Sequence, residues 1–334
     1  MDSLALAWLG IIAFIIIMYI VLDGFTLGVG LLFPWVKGSQ ERDDMIATVL
    51  PVWDGNETWL VFAGAALYAG FPGAFGPLMS ALYLPILLLI LGLLFRGISF
   101  EFIHKATTSV HVWEKCFFSG SLMAVIAQGI IVGSYVQGFS IDVSGNIVAP
   151  NLINWFNLFC AAALVVGYTM LGSARLIKKV HAPLQEKLFA ISGKLQWVLF
   201  ASILFVGFYS PVTVNPQNYT PWFQLNDSPF MLMFTIVIVI LMLVHMLGIK
   251  YKIENLPFLA LVGTFIMAYT AFVISDLPYI VPHHITFLQA KADDSALRLM
   301  LYGAAVLIPL LLSYTAYAYY IFGGKIDEQK KVRY

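Results

Sequence analysis

The chain has 334 residues, 60% of them hydrophobic and only 11% charged, with no formal net charge. A soluble domain carries about 25% charged residues, so the polar surface needed to cover a globule in water is missing, and the chain reads as an integral membrane protein. Zero net charge gives no basic footprint for nucleic acid, and two cysteines exclude a disulfide scaffold or an all-cysteine metal site.

Crossing the hydrocarbon core takes about 20 predominantly apolar residues in a helix. Nine segments meet that requirement, at 4–35, 47–71, 76–98, 116–138, 152–174, 188–209, 229–249, 256–276 and 298–322. They are far longer than the roughly 9–11 residues of a barrel strand and show no strand alternation. The expectation is an all-α membrane protein of nine transmembrane helices.

The first span has a single charge before its apolar run, Asp2, and the run is too long for a signal peptide, so it is expected to be retained. Asp23 lies about 18 Å from its inner end at 1.5 Å per residue, near mid-membrane. Gly24, Gly28 and Gly30 follow, a stripe of small residues that lets another helix approach closely. In the second span, Asp54 and Glu57 are spaced i, i+3, which puts both carboxyls on one face. Pro51, just before them, is expected to kink the helix and free backbone carbonyls near the acids. Glu101 follows Arg96 at the inner end of the third span, and the fourth carries Gln128 and Gly129.

Gly167-Tyr168-Thr169-Met170 in the fifth span echoes Gly24-Phe25-Thr26-Leu27, a faint sign of a parallel repeat. A basic segment at 175–187 then divides residues 1–174, with the first helical bundle and the fifth span, from residues 188–334, with the remaining helices and tail. All belong to one membrane domain. The stretch Ser210–Pro221, with three prolines and no charge, reads as an ordered loop. Asp276 closes the eighth span as an interfacial residue or a cap. Of the 18 lysines and arginines, only Lys291 and Arg298 fall on one side of this alternation. All others, Arg96 included, fall on the opposite side, which places the N-terminus outside and the C-terminus in the cytoplasm.

An ionisable group at mid-membrane costs about 2.5–3.5 kcal/mol on insertion scales, so each one needs a reason. Asp23, Asp54, Glu57 and Glu101 are the candidates for a proton path from the inner side. The competing reading is that Asp23 or Asp54 pairs with a partner and glues helices together. For Gly24, Gly28, Gly30, Gln128 and Gly129, ordinary helix packing is the main expectation. Haem needs axial ligands at matching depth. His245 is the histidine inside a span and reads as a satisfied interfacial residue, while His104 and His111 lie in an inner connection and His283 and His284 in an outer one. Cys116 and Cys160 fall at different depths, which argues against a disulfide or shared metal. No ligand set for a metal or haem is evident.

Leu22-Asp23-Gly24-Phe25-Thr26-Leu27-Gly28-Val29-Gly30 and Pro51-Val52-Trp53-Asp54-Gly55-Asn56-Glu57-Thr58-Trp59-Leu60 resemble the two signatures of subunit II of cytochrome bd-type quinol oxidases. Leu94-Phe95-Arg96-Gly97-Ile98-Ser99-Phe100-Glu101 and Gln128-Gly129 continue the match, and the details are most similar to the cyanide-insensitive branch. The Trp-Asp-Gly-Asn-Glu-x-Trp block is highly specific. The resemblance implies a haem-free subunit of two four-helix bundles and a peripheral ninth helix in the inner (cytoplasmic) membrane. Its partner, subunit I, would carry two b haems and haem d and oxidise quinol. A small accessory subunit and a structural quinone or lipid stay open. The family places the acids matching Asp54 and Glu101 on a proton route from the cytoplasm. It often has a second acid where this chain has Thr26, so a proton role at that position is in doubt. Two other readings stand beside this one: a proton- or ion-coupled secondary transporter, and a scaffold subunit with no proton role.

Overall fold

The computed structural model describes residues 3–103, 105–106, 108–213 and 229–326. The part of the proline-rich loop beyond residue 213, His104 and the tail from residue 327 lie outside the described residues. Helices dominate: α1 (Ser3–Leu31), α2 (Ser39–Val49), α3 (Trp53–Gly70), α4 (Pro72–Ala81), α5 (Tyr83–Ile103), α6 (Val110–Gln137), α7 (Trp155–Lys179), α8 (Leu184–Thr213), α9 (Pro229–Lys250), α10 (Leu256–Ser275), α11 (Phe287–Ala290) and α12 (Asp294–Ile321). Two short antiparallel hairpins join them, β1 (Ser140–Ile141) with β2 (Ile147–Val148) and β3 (Tyr279–Val281) with β4 (Ile285–Thr286).

Among the described residues, eight helices are long and apolar enough to cross a membrane. The segment expected at 47–71 is not one continuous span. Pro51 has no N–H to donate and its ring blocks the preceding turn, so the chain breaks into α2 and α3, with Val52 outside helical geometry at the start of α3. The 18 residues of α3 make a helix of about 27 Å, with Asp54 and Glu57 in its opening turns. The segment expected at 76–98 also differs. α4 stops at Leu82, and the crossing helix is α5, which starts at Tyr83 and carries Glu101 within its last turn. α6 starts at Val110, which brings His111, exposed, into its first turn.

One end of the bundle carries α2 and the connections after α5, α7 and α9; the other carries both hairpins, α4 and α11. Ion pairs tie the α2 end: Arg42 to Glu114 and Lys187 to Glu41. At the hairpin end, Asn154 caps α7 by accepting from the Asn157 N–H, and Thr286 and Gln289 form a capping box on α11.

α1 and α7 cross at the centre. Every residue of α1 from Asp23 to Leu31 is buried. A Cβ on Gly28 would sit 1.8 Å from the Tyr168 carbonyl oxygen, and one on Gly172 would sit 2.4 Å from the Gly28 carbonyl carbon. Only two glycines allow backbones this close. Gly30 lies against Ser121 of α6 and Gly129 against the Ala161 backbone of α7, so the small residues bring α1, α6 and α7 together. α12 stays on the surface, with only Leu297 and Ala304 buried along its length.

Candidate functional site

The tight packing around the second half of α1 places Asp23 in the interior, at 0% exposure. Its Oδ1 accepts from Arg96 Nη1 at 2.7 Å and from the Thr26 hydroxyl. Arg96, on α5, is also fully buried, and its second terminal nitrogen donates to Glu57 Oε1 on α3. Thr26 completes the cluster, accepting from Arg96 Nη1 at 3.0 Å. Three helices thus converge on one guanidinium.

Arg96 corrects the expectation drawn from charge distribution. It marks no membrane surface: it is one of the largest fully buried side chains. An unpaired buried arginine is prohibitively costly, and two carboxylates are what make its burial tolerable. Arg175 and Lys179, which that count placed on the inner side, are also buried within the protein, at 9% and 4% exposure.

Two carboxylates face one cation, so the fully ionised cluster carries one excess negative charge. The two acids differ in access: the Asp23 side chain is 0% exposed and the Glu57 side chain 23%. Glu57 is therefore the carboxyl of the cluster that reaches the protein surface. Asp23 Oδ2 and Arg96 Nε have no protein partner among the described residues. The second acid comes from α3, not from position 26, whose hydroxyl bridges Asp23 and Arg96.

The structure leaves the other two acids outside the cluster. Asp54 is exposed in the first turn of α3, close enough to Glu57 for mutual repulsion. Glu101 is 66% exposed and pairs with Lys105 at 2.9 Å. Gln128 lies inside, donating to Tyr19 and accepting from Tyr168, so it joins α1, α6 and α7 above Asp23. Asn56 is a residue that sequence reasoning passed over. It is buried between two acids, its amide donates to the Leu22 carbonyl at 2.8 Å, and its carbonyl accepts from Tyr319 of α12 at 3.1 Å. Its place inside the Trp-Asp-Gly-Asn-Glu block was the available signal.

Among the described residues, no three His, Cys, Asp or Glu side chains gather as a metal site. His245 is fully buried, with Nδ1 at 3.2 Å from the Pro257 carbonyl, and it is not fully satisfied as expected, because its Nε2 has no partner among the described residues. Cys116 and Cys160 are free thiols.

Asp276 follows α10 as its C-cap, and burial pushes its carboxyl up from 3.8 to about 7. A raised carboxyl favours the protonated form in the fold, so its contribution is present at low pH and lost as pH rises toward 7. The slope there reaches about 1.4 kcal/mol per pH unit. Asp276→Asn is expected to flatten the fall in thermal midpoint between pH 5 and pH 8, measured in detergent; an unchanged pH dependence would refute the assignment.

A family model described as cytochrome bd terminal oxidase subunit II matches residues 4–322. Cytochrome bd ubiquinol oxidase subunit 2 of Bacillus subtilis is 26% identical over the whole of both chains. Cytochrome bd-I ubiquinol oxidase subunit 2 of Escherichia coli K12 is 25% identical over 98% of this chain and 96% of its own. Among solved structures, a chain of the bd oxidase from Geobacillus thermodenitrificans superposes with a TM-score of 0.79, covering 97% of this chain and 100% of that one at 17% identity, a likeness of fold.

Proposed function

The chain belongs to the subunit II family of cytochrome bd terminal oxidases, and on that premise we propose that it delivers protons to a haem-bearing partner in a quinol:oxygen oxidoreductase. The family and the relatives make it a subunit of a membrane oxidoreductase complex whose cofactors include haem. The haems, two b-type and one d, belong on subunit I, where quinol is oxidised. This chain supplies none of their ligands. It sits in the cytoplasmic membrane with its N-terminus outside, and α3 is the ninth crossing.

The observation that carries the proton role is the Asp23–Arg96–Glu57 cluster, two carboxylates on one buried guanidinium with one carboxyl reaching the surface. The helices that carry Asp54, Glu57 and Arg96 also present exposed apolar residues, among them Val61, Leu94 and Ile98. A partner receiving protons from the two acids has to pack against these helices. Protons taken from the cytoplasm, with quinol protons released outside, would separate charge without a pump. A scaffold role is the second reading, favoured by the completeness of the Arg96 ion pairs.

The test is purification of the tagged assembly from its native membrane. A co-purifying haem-rich subunit with a haem d band in the reduced-minus-oxidised spectrum is expected; the absence of any haem partner would sink the assignment. In that assembly, Glu57→Gln is expected to slow oxygen reduction about 10-fold or more, as loss of a positioned proton-transfer group does, with the haem spectrum intact. Asp54→Asn, farther from the cluster, should slow it less. Normal turnover in both variants would leave the scaffold reading.

A further inference from the structure

Asn56 is adjacent in sequence to Glu57, and the carbonyl it holds belongs to Leu22, adjacent to Asp23. This bond therefore fixes the register of α1 against α3 at the depth where both acids share Arg96. Asn56 is held in turn by the Tyr319 hydroxyl of α12. Tyr319 is one wall of a three-ring box around the Arg175 guanidinium, which lies 5.2 Å from its ring centroid and 5.4 Å from those of Phe25 and Phe258. Among the described residues, no carboxylate or acceptor oxygen pairs with Arg175, so the ring faces are its compensation.

One turn along α7, the Lys179 ammonium donates to the Phe322 and Gly324 carbonyls at the end of α12. Tyr314 packs over Gly55, 3.0 Å from where a Cβ would sit, and a narrow cavity lies between this part of α12 and Val52, Gly55 and Asn56. The inner half of α12 is thus docked onto α1, α3 and α7 at this one site, while most of its outer surface faces away.

We propose that Arg175 and Tyr319 are positioning residues for the buried acid cluster, acting through Asn56. The cation on the ring of Tyr319 draws electron density from it and makes its hydroxyl a stronger donor to Asn56. Asn56, so oriented, keeps its amide on the Leu22 carbonyl. This inference rests on the proton-delivery reading of the cluster.

The experiment uses the intact oxidase assembly carrying Tyr319→Phe, Arg175→Gln or Arg175→Lys. Tyr319→Phe and Arg175→Gln are expected to lower kcat about three- to tenfold, the equivalent of one net hydrogen bond. Quinol KM and haem content should stay unchanged, and the carboxyl band in the redox-induced infrared difference spectrum should shift. Arg175→Lys keeps the charge without the planar face, and should restore part of the rate. Full turnover with an unshifted carboxyl band in both variants would overturn the proposal, as would a rate loss that only follows lost haem. Glu57→Gln separates the two levels. If it and Asp54→Asn both turn over normally, the proton-delivery reading itself fails; if Glu57→Gln is slow while Tyr319→Phe and Arg175→Gln are normal, only the positioning role falls.

Discussion

Arg96→Gln is expected to destabilise the chain by about 3–5 kcal/mol, the cost of removing one partner from a buried ion pair, and so to abolish assembly of the oxidase. The variant leaves Asp23, at 0% exposure, and Glu57 without their shared cation. Both must then bind protons or remain as uncompensated buried charges. The measurement is the yield and thermal midpoint of the detergent-solubilised assembly, with haem content read from its spectrum. Adding Asp23→Asn to Arg96→Gln should recover part of the loss, because it removes the more deeply buried orphan charge. Stability unaffected by Arg96→Gln would mean that the ion pairs contribute nothing to the fold.

A second large effect is expected from adding one methyl group. Gly28→Ala would place its Cβ 1.8 Å from the carbonyl oxygen of Tyr168. Overpacking in a core costs about 1–3 kcal/mol where side chains can move. Here the obstacle is the backbone of α7, so the whole helix must shift. Displacing α7 also moves Tyr168 away from Gln128 and Arg175 away from Phe25. The expected result is loss of the assembled complex from the membrane. Gly10→Ala on the same helix is the control, since nothing lies within 4 Å of its added Cβ. It should leave assembly intact and stability level or slightly higher, by the about 0.5–1 kcal/mol that alanine gains over glycine in a helix. Equal behaviour of the two variants would show that close α1–α7 approach is not required.

The long apolar runs made the helical membrane class legible, because twenty apolar residues in a row admit few alternatives. The rarity of buried charge singled out Asp23, Asp54, Glu57 and Glu101, of which only Asp23 and Glu57 meet at Arg96. Arg96 was misplaced because the same residue type marks a membrane surface and neutralises buried acids. Only the fold shows which, by bringing a residue 73 positions away onto Asp23. Asp54 and Glu57 share a nominal helix face, yet one is exposed and the other reaches Arg96. Helical spacing fixes neighbours along α3, whereas burial depends on where α1 and α5 lie against it. Pro51 was a visible signal, but whether a proline bends a helix or ends it depends on the packing around it. Here Val52 leaves helical geometry and the span divides. Tyr319 and Arg175 gave no local sign at all. Their relation to Asn56 spans most of the chain, and no pattern of short period records it.

The ratio of two carboxylates to one guanidinium has a consequence for counting. The cluster is neutral when it holds a single proton beyond its ion pairs. Emptied, it carries one surplus negative charge; doubly filled, it would strand Arg96 as a bare cation in the interior. On the proton-delivery proposal it would be a counter with one working digit, which the reduction of dioxygen, consuming several protons, would have to advance once for each.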